Sequence, residues 1–253
     1  DALEAIGEKY KVKIEWPELI YGYGSQEYSE KYRELFAPRK EVNSEPTGPN
    51  SKIVYMKWTS AYMEDINEIR NRAFEMLLYG DEVPIDMSLE AAYERIFESS
   101  AREYTWRHPE NPQTGLSYLQ KRIKTGRALA MVMTVQIGTI KETPHGNDDV
   151  ERKILKEYAI NFIRAHASFE VMGVFIHSNE EDKAVHLHIL FVPWGDGFDK
   201  GLYRQFSLDK ALERDGFGQN ENTEGDYFTQ YELNTLRELC EKRGIDMQPI
   251  WTM

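Results

Sequence analysis

Apolar and polar positions along the chain fall into two periods, one near two residues and one near 3.6. Residues 52–58, Lys52-Ile53-Val54-Tyr55-Met56-Lys57-Trp58, form a β-branched and aromatic stretch that suits a strand. Over residues 60–79, Tyr62, Ile66, Ile69, Ala73 and Leu77 recur at helical spacing, and Gly80 stands as the stop. Ser88 reads as the N-cap of a second helix running to about Trp106, which buries Leu89, Ala92, Tyr93, Ile96 and Phe97 before Pro109 and Pro112. A third, shorter helix carries Leu116, Leu119 and Ile123. Residues 129–137 are apolar on both faces, which predicts a central strand. A turn at Gly146-Asn147-Asp148-Asp149 opens a helix to about Ala167 with the stripe Val150, Ile154, Tyr158 and Phe162. Strands over 170–177 and 185–193 follow, joined by a polar loop. Ser207 caps a short helix stopped by Gly216, and a last helix runs from about Thr229 to Arg243, where Gly244 ends it.

Consecutive antiparallel strands, with helices between other strands, predict an α+β fold: a central antiparallel β-sheet flanked by helices, expected on one face. Residues 1–50 are charge-rich and end in a Pro/Gly/Asn loop, so they read as an N-terminal appendage or docked subdomain. The 253 residues suffice for a substantial core. The longest apolar run, Ile189 to Trp194, is too short to span a bilayer, so no membrane partner is expected. No export signal stands at the N-terminus, and the single cysteine excludes a disulfide framework; both fit a reducing, cytoplasmic setting. Cys240 shares a helix side with Leu236 and Leu239, which makes it a core thiol.

The chemistry is concentrated in histidines. His177, His186 and His188 fall within twelve positions. Alternate strand residues share a face, so His186 and His188 project together, and a hairpin would bring His177 beside His186. Three imidazoles meeting at one end of a ribbon suit a catalytic divalent ion with an open position, since closed structural zinc sites favour thiolates. The acids of the connecting loop, Glu180, Glu181 and Asp182, offer a fourth ligand or an orienting partner. His145 reads as a turn residue, and His108 and His166 as helix C-terminal residues favoured by the dipole.

Charge sharpens this picture. The chain has a net charge of −12, which argues against a general nucleic-acid coat. Between Asn111 and Lys141, however, Lys121, Arg122, Lys124, Arg127 and Lys141 stand without an acid, a local +5. They read as one wall of a phosphate groove, with Lys200 and Arg204 as another, against the blander reading of a solvated helix face. No Walker loop or Gly-x-Gly-x-x-Gly motif is present.

Val174-Phe175-Ile176-His177 and Val185-His186-Leu187-His188-Ile189-Leu190-Phe191-Val192-Pro193 resemble the His-hydrophobic-His strand of plasmid mobilisation/recombination relaxases of the Pre/Mob (MobV) type. Similar too are Lys200-Gly201-Leu202, Ser207-Leu208-Asp209-Lys210-Ala211-Leu212, Gly216-Phe217 and the Arg237-Glu238-Leu239 stretch to Ile245. Upstream, Glu90-Ala91-Ala92-Tyr93-Glu94-Arg95-Ile96-Phe97 and Val135-Gln136-Ile137-Gly138 match the pattern, so the likeness runs from about Ser88 to Trp251. The resemblance implies an HUH-type domain over residues 51–253 that nicks and transfers a single DNA strand at a plasmid or mobile-element origin. It implies an Mn²⁺ or Mg²⁺ ion held by His177, His186 and His188, single-stranded or hairpin DNA as substrate, and mobilisation-complex proteins as partners.

Two departures stand out. The histidine-connecting loop is two residues longer than the family's, so the ligand acid is Glu180 counted forward or Asp182 counted back, and Val185 replaces a proline. The family's His-Asn-Asn-Arg motif is nearest to Ile69-Arg70-Asn71-Arg72, which puts Ile69 in the nucleophile position and leaves Arg72 to contact phosphate. Tyr62 is the nearby hydroxyl of the kind other relaxases use, although a core tyrosine is the plainer reading. Arg107-His108-Pro109-Glu110-Asn111-Pro112 replaces a basic segment. The alternative to a nuclease is therefore a degenerate, non-cleaving domain that binds DNA or protein.

Overall fold

A computed structural model describes residues 51–73, 75–76, 78–79, 83–84, 86–138, 148–178, 184–217 and 224–249. The expected appendage over 1–50, the Gly80 stop, Gly146 and Asn147 of the turn, Lys141, His145, Glu180, Glu181 and Asp182 lie outside these residues. The fold is α+β, with an antiparallel sheet between helices. Its long strands are β1 (Ser51–Ala61), β5 (Ala130–Ile137), β6 (Phe169–His177) and β7 (His186–Gly195). Short strands are β2 (Glu75–Met76), β8 (Gln205–Phe206) and β9 (Asp246–Pro249). A separate ribbon pairs β3 (Leu78–Tyr79) with β4 (Val83–Pro84). The sheet order is β2-β6-β7-β5-β1-β9, antiparallel apart from the parallel β1–β9 edge, and β8 extends β7.

Helices cover both faces, not the single face expected. β5 and β7 are apolar on alternate sides, so each side needs its own cover. On one side α4 (Asp149–Ala165), α5 (Leu208–Arg214) and α6 (Glu224–Glu241) bury Met133, Val135, Ile176, Leu187 and Ile189. On the other, α1 (Met63–Asn71), α2 (Leu89–Arg107) and α3 (Gly115–Lys124) pack on Ala61, Ala130, Val132, Leu190 and Val192. Among the described residues no helix is long and apolar enough to cross a membrane.

Local corrections share a cause. The helix expected over 60–79 is only α1, because Ser60 and Ala61 continue β1 opposite Met131 and Ala130. After the Arg72 cap, Glu75 and Met76 pair with Ile176 and Phe175 at the edge of β6. Partners distant in sequence outweigh a helical spacing here. In α4, Val150 is exposed and Glu151 is buried in its place, ion-paired to Lys52. The last helix begins earlier than its periodicity indicated and is followed by β9.

The α2–α3 contact is close enough to need a glycine. A Cβ on Gly115 would lie 2.7 Å from the Tyr93 carbonyl oxygen, and the Gly115 N–H donates to Glu98 at 2.9 Å. Gly115→Ala is expected to destabilise the domain by about 1–3 kcal/mol through overpacking, despite the better helix propensity of alanine. The denaturant midpoint measures it, and an unchanged or higher midpoint would show that the two helices can part.

Candidate metal centre

Two strands and a bulge build the site. His177 pairs directly with His186 across β6–β7, and directly paired residues share a sheet face. The register shifts between Val171 and Gly173, so Val171 and Val174 both point into the α4-side core. Without that extra residue, alternation from Val171 would send His177 to the opposite side from His186 and His188. With it, the three rings lie 4.6–5.1 Å apart, centroid to centroid. One ligating nitrogen from each lies within 4.8 Å of the other two, the one such cluster among the described residues.

Each ring is tethered. His177 Nε2–H donates to the Ile69 carbonyl at 3.1 Å, and His186 Nδ1–H donates to the Ala184 carbonyl at 3.0 Å. Carbonyls only accept, so these bonds put the lone pairs on His177 Nδ1 and His186 Nε2. His188 Nδ1 lies 2.9 Å from the Thr134 hydroxyl. Tethering the second nitrogen is the arrangement that orients imidazole ligands. His177 and His186 are buried and His188 is half-buried. A tetrahedral ion with bonds of about 2.0–2.1 Å sets its ligands about 3.4 Å apart, inside the 4.8 Å within which one nitrogen of each ring lies. The donors, three imidazoles and no thiolate, could hold a divalent transition-metal ion, and Mn²⁺, though it too favours oxygen ligands, accepts imidazole more readily than Mg²⁺.

A cleft of about 250 Å³ opens over His177 and His188, walled by Thr59, Ser60, Val132 and Thr134 of the sheet and by Asp65, Glu68, Ile69 and Arg72 of α1 and its cap. Arg72 is therefore at the cleft, where it also bonds Glu68 at 3.0 Å. Tyr62 is not in this wall. It is the N-cap of α1 and exposed, not a core tyrosine, and its backbone N–H donates to Asp65. Burial, then the Asp65 charge, raises its phenol pKa against an opposing pull from Arg122.

The basic residues separate into two groups. Lys121, Lys124 and Arg127 are exposed, as is Lys200. Arg122 is buried, donates to the Ala128 carbonyl and stacks on Phe206, its carbon 4.0 Å from the ring centroid. Arg204 grips Asp196 at 2.7 Å and lies 3.8 Å over Trp194. Both are therefore engaged within the fold. Arg122 also anchors at the Ala130 end of β5, about 20 Å along the strand from Gln136, which pairs with His186.

Several polar residues beside the triad escaped the sequence reading. Thr134 and Gln136 interrupt an otherwise apolar β5, and Tyr55, Lys57 and Thr59 alternate with Val54, Met56 and Trp58 on β1. That alternation was the available signal. Burial pushes the Tyr55 phenol up to about 12 and the Lys57 amine down to about 8.

His166 also exceeds the role expected for it. It caps α4, and its imidazole is buried between Glu232 of α6, 2.9 Å from Nε2, and Asp215, 3.4 Å from Nδ1. Tyr158 donates to the other Glu232 oxygen at 2.5 Å. Burial opposes the His166 charge, but the two carboxylates outweigh it and raise the pKa. Cys240, by contrast, is a core thiol as expected, pushed up to about 12 by burial.

Fold and site together define an α+β domain with a tethered three-imidazole centre under a helix. Comparison with protein-family models, with curated proteins and with solved structures finds no match.

Proposed function

We propose that this chain is a relaxase-like, metal-dependent protein acting on a single strand of DNA at a plasmid or mobile-element origin, as its motifs suggest. The observation that carries the reading is the convergence of His177, His186 and His188, each tethered, beside a cleft that His177, His188 and Arg72 line. A divalent ion held there would polarise a backbone phosphate oxygen and offset charge in an in-line displacement. Arg72, at the cleft wall, would contact the same phosphate in exchange for Glu68. Ile69 keeps the His177 ring in its tautomer through its carbonyl and shields one wall from water through its side chain.

A second reading has its own support. Ile69 occupies the motif's nucleophile position, and among the described residues no tyrosine, cysteine or further histidine lines the cleft. A domain that grips the strand without cutting it fits that inventory. An oligonucleotide carrying a transfer-origin-like single strand, incubated with Mn²⁺, separates the two. Nicking with a covalent protein–DNA adduct supports the strand transferase, and salt-sensitive binding without products supports the binding module. Failure to bind any single strand overturns both.

A further inference from the structure

Asp65, Glu68 and Arg72 follow one another at intervals of three and four residues, so they share one face of α1 and its cap. That face meets the triad, since the Ile69 carbonyl beside Glu68 holds His177. These three are the charged side chains that line the cleft, and two carboxylates against one guanidinium leave one negative charge in excess. The sheet supplies the hydroxyls of Thr59, Ser60 and Thr134 and the apolar Val132. His177 and His186 add no charge, because an imidazole that donates one N–H and keeps a lone pair on its other nitrogen is neutral.

Such a wall repels a phosphodiester. Arg72 is held by Glu68 at 3.0 Å, and turning it to a phosphate would leave the Glu68 carboxylate beside that anion. Asp65 is half-buried, so water and salt screen its charge less than at an open surface. One of its oxygens accepts the Tyr62 N–H at 2.9 Å, which fixes the carboxylate at the cleft. With a divalent cation at the three imidazoles, the balance becomes one positive charge in excess.

We propose that the cleft loads in order, cation first and strand second: Asp65 and Glu68 exclude a bare phosphodiester until a divalent cation at His177, His186 and His188 offsets them. This rests on the reading of the cleft as a single-strand DNA site. It makes cation and strand bind with positive coupling, each tightening the other by the same factor.

The test is a fluorescence-anisotropy titration of the full chain with a labelled, mixed-sequence single-stranded oligodeoxynucleotide at constant ionic strength, in EDTA and in saturating Mn²⁺. Wild type should bind at least about tenfold more tightly with Mn²⁺. Asp65→Asn keeps an oxygen for the cap hydrogen bond, and Glu68→Gln alters an exposed position. Each should bind several-fold more tightly than wild type in EDTA and depend less on Mn²⁺. Asp65→Glu, which keeps the charge, should stay as dependent as wild type. His186→Asn reports any action of Mn²⁺ on the oligonucleotide alone and should gain little from it. Calorimetry should show the strand tightening Mn²⁺ uptake by the factor that anisotropy gives for the reverse. If wild type binds alike in EDTA and Mn²⁺, or His186→Asn gains as much from Mn²⁺, ordered loading fails while strand binding stands. If neither charge-removing variant binds more tightly in EDTA, or Asp65→Glu matches Asp65→Asn, the carboxylates are not the barrier and the proposal is overturned. If wild type binds no single strand in either condition, the DNA reading fails and takes ordered loading with it.

Discussion

Replacing His166 by Asn is expected to cost about 3–5 kcal/mol, because it leaves two buried carboxylates without their shared cation. His166 ties three helices of one layer together: its backbone N–H closes α4 on the Phe162 carbonyl, and its imidazole bonds Glu232 of α6 and pairs with Asp215, which follows α5. Phe162, Phe228 and Phe169 surround the ring at 4.7, 5.2 and 5.4 Å, and this burial opposes the charge that the two carboxylates sustain. The sign of the pH dependence follows from the raised pKa. The unfolded imidazole titrates at about 6.5, so its stabilisation is fully present below that pH. It is lost as pH rises through the higher folded-state value. Urea melts of wild type and His166→Asn from acid to alkaline pH should show a gap that is widest on the acid side and narrows upward. A gap independent of pH would mean that the ring stays neutral between its carboxylates.

His186→Asn is expected to weaken Mn²⁺ binding by at least about 100-fold, since it removes one of three ligands, whereas Thr134→Val, which removes only a tether, should cost about 10–100-fold. Calorimetric titration gives both values. A thermal readout independent of any reaction accompanies it: at 100 times its dissociation constant, Mn²⁺ should stabilise the wild-type fold by about 2.7 kcal/mol. At that concentration it should do little for His186→Asn, and EDTA should reverse the wild-type gain. Equal Mn²⁺ affinity in wild type and His186→Asn would place the ion elsewhere, and no uptake by wild type would remove the metal from the account.

The helices α2 and α5 were legible because Ser88 and Ser207 cap them locally and accept from the backbone three residues on, and α3 was legible from the spacing of Leu116, Leu119 and Ile123, its Thr114 cap being seen only in the structure. The strand carrying residues 129–137 was legible because its composition has no solvent side. Other features depended on partners far away in the chain. The helix expected through Tyr79 yielded to pairing of Glu75 and Met76 with β6, and Val150 yielded its inward position to Glu151 once Lys52 stood opposite. His166 looked like an ordinary C-cap because its two carboxylates lie 49 and 66 residues further on.

The spacing of His186 and His188 by itself put two imidazoles on one face, because a strand repeats every second residue. Sequence also determined the α+β class, through short-range periodicity and capping. Whether His177 joined them was decided by the irregularity between Val171 and Gly173, a shift of one residue that reverses every later side chain of β6. Tertiary structure alone set α1 over the triad, bound Ile69 to His177, and placed Asp65 and Glu68 in one cleft with His177 and His188. Those relations arise from sheet register and layer packing between segments many residues apart, which local patterns do not encode.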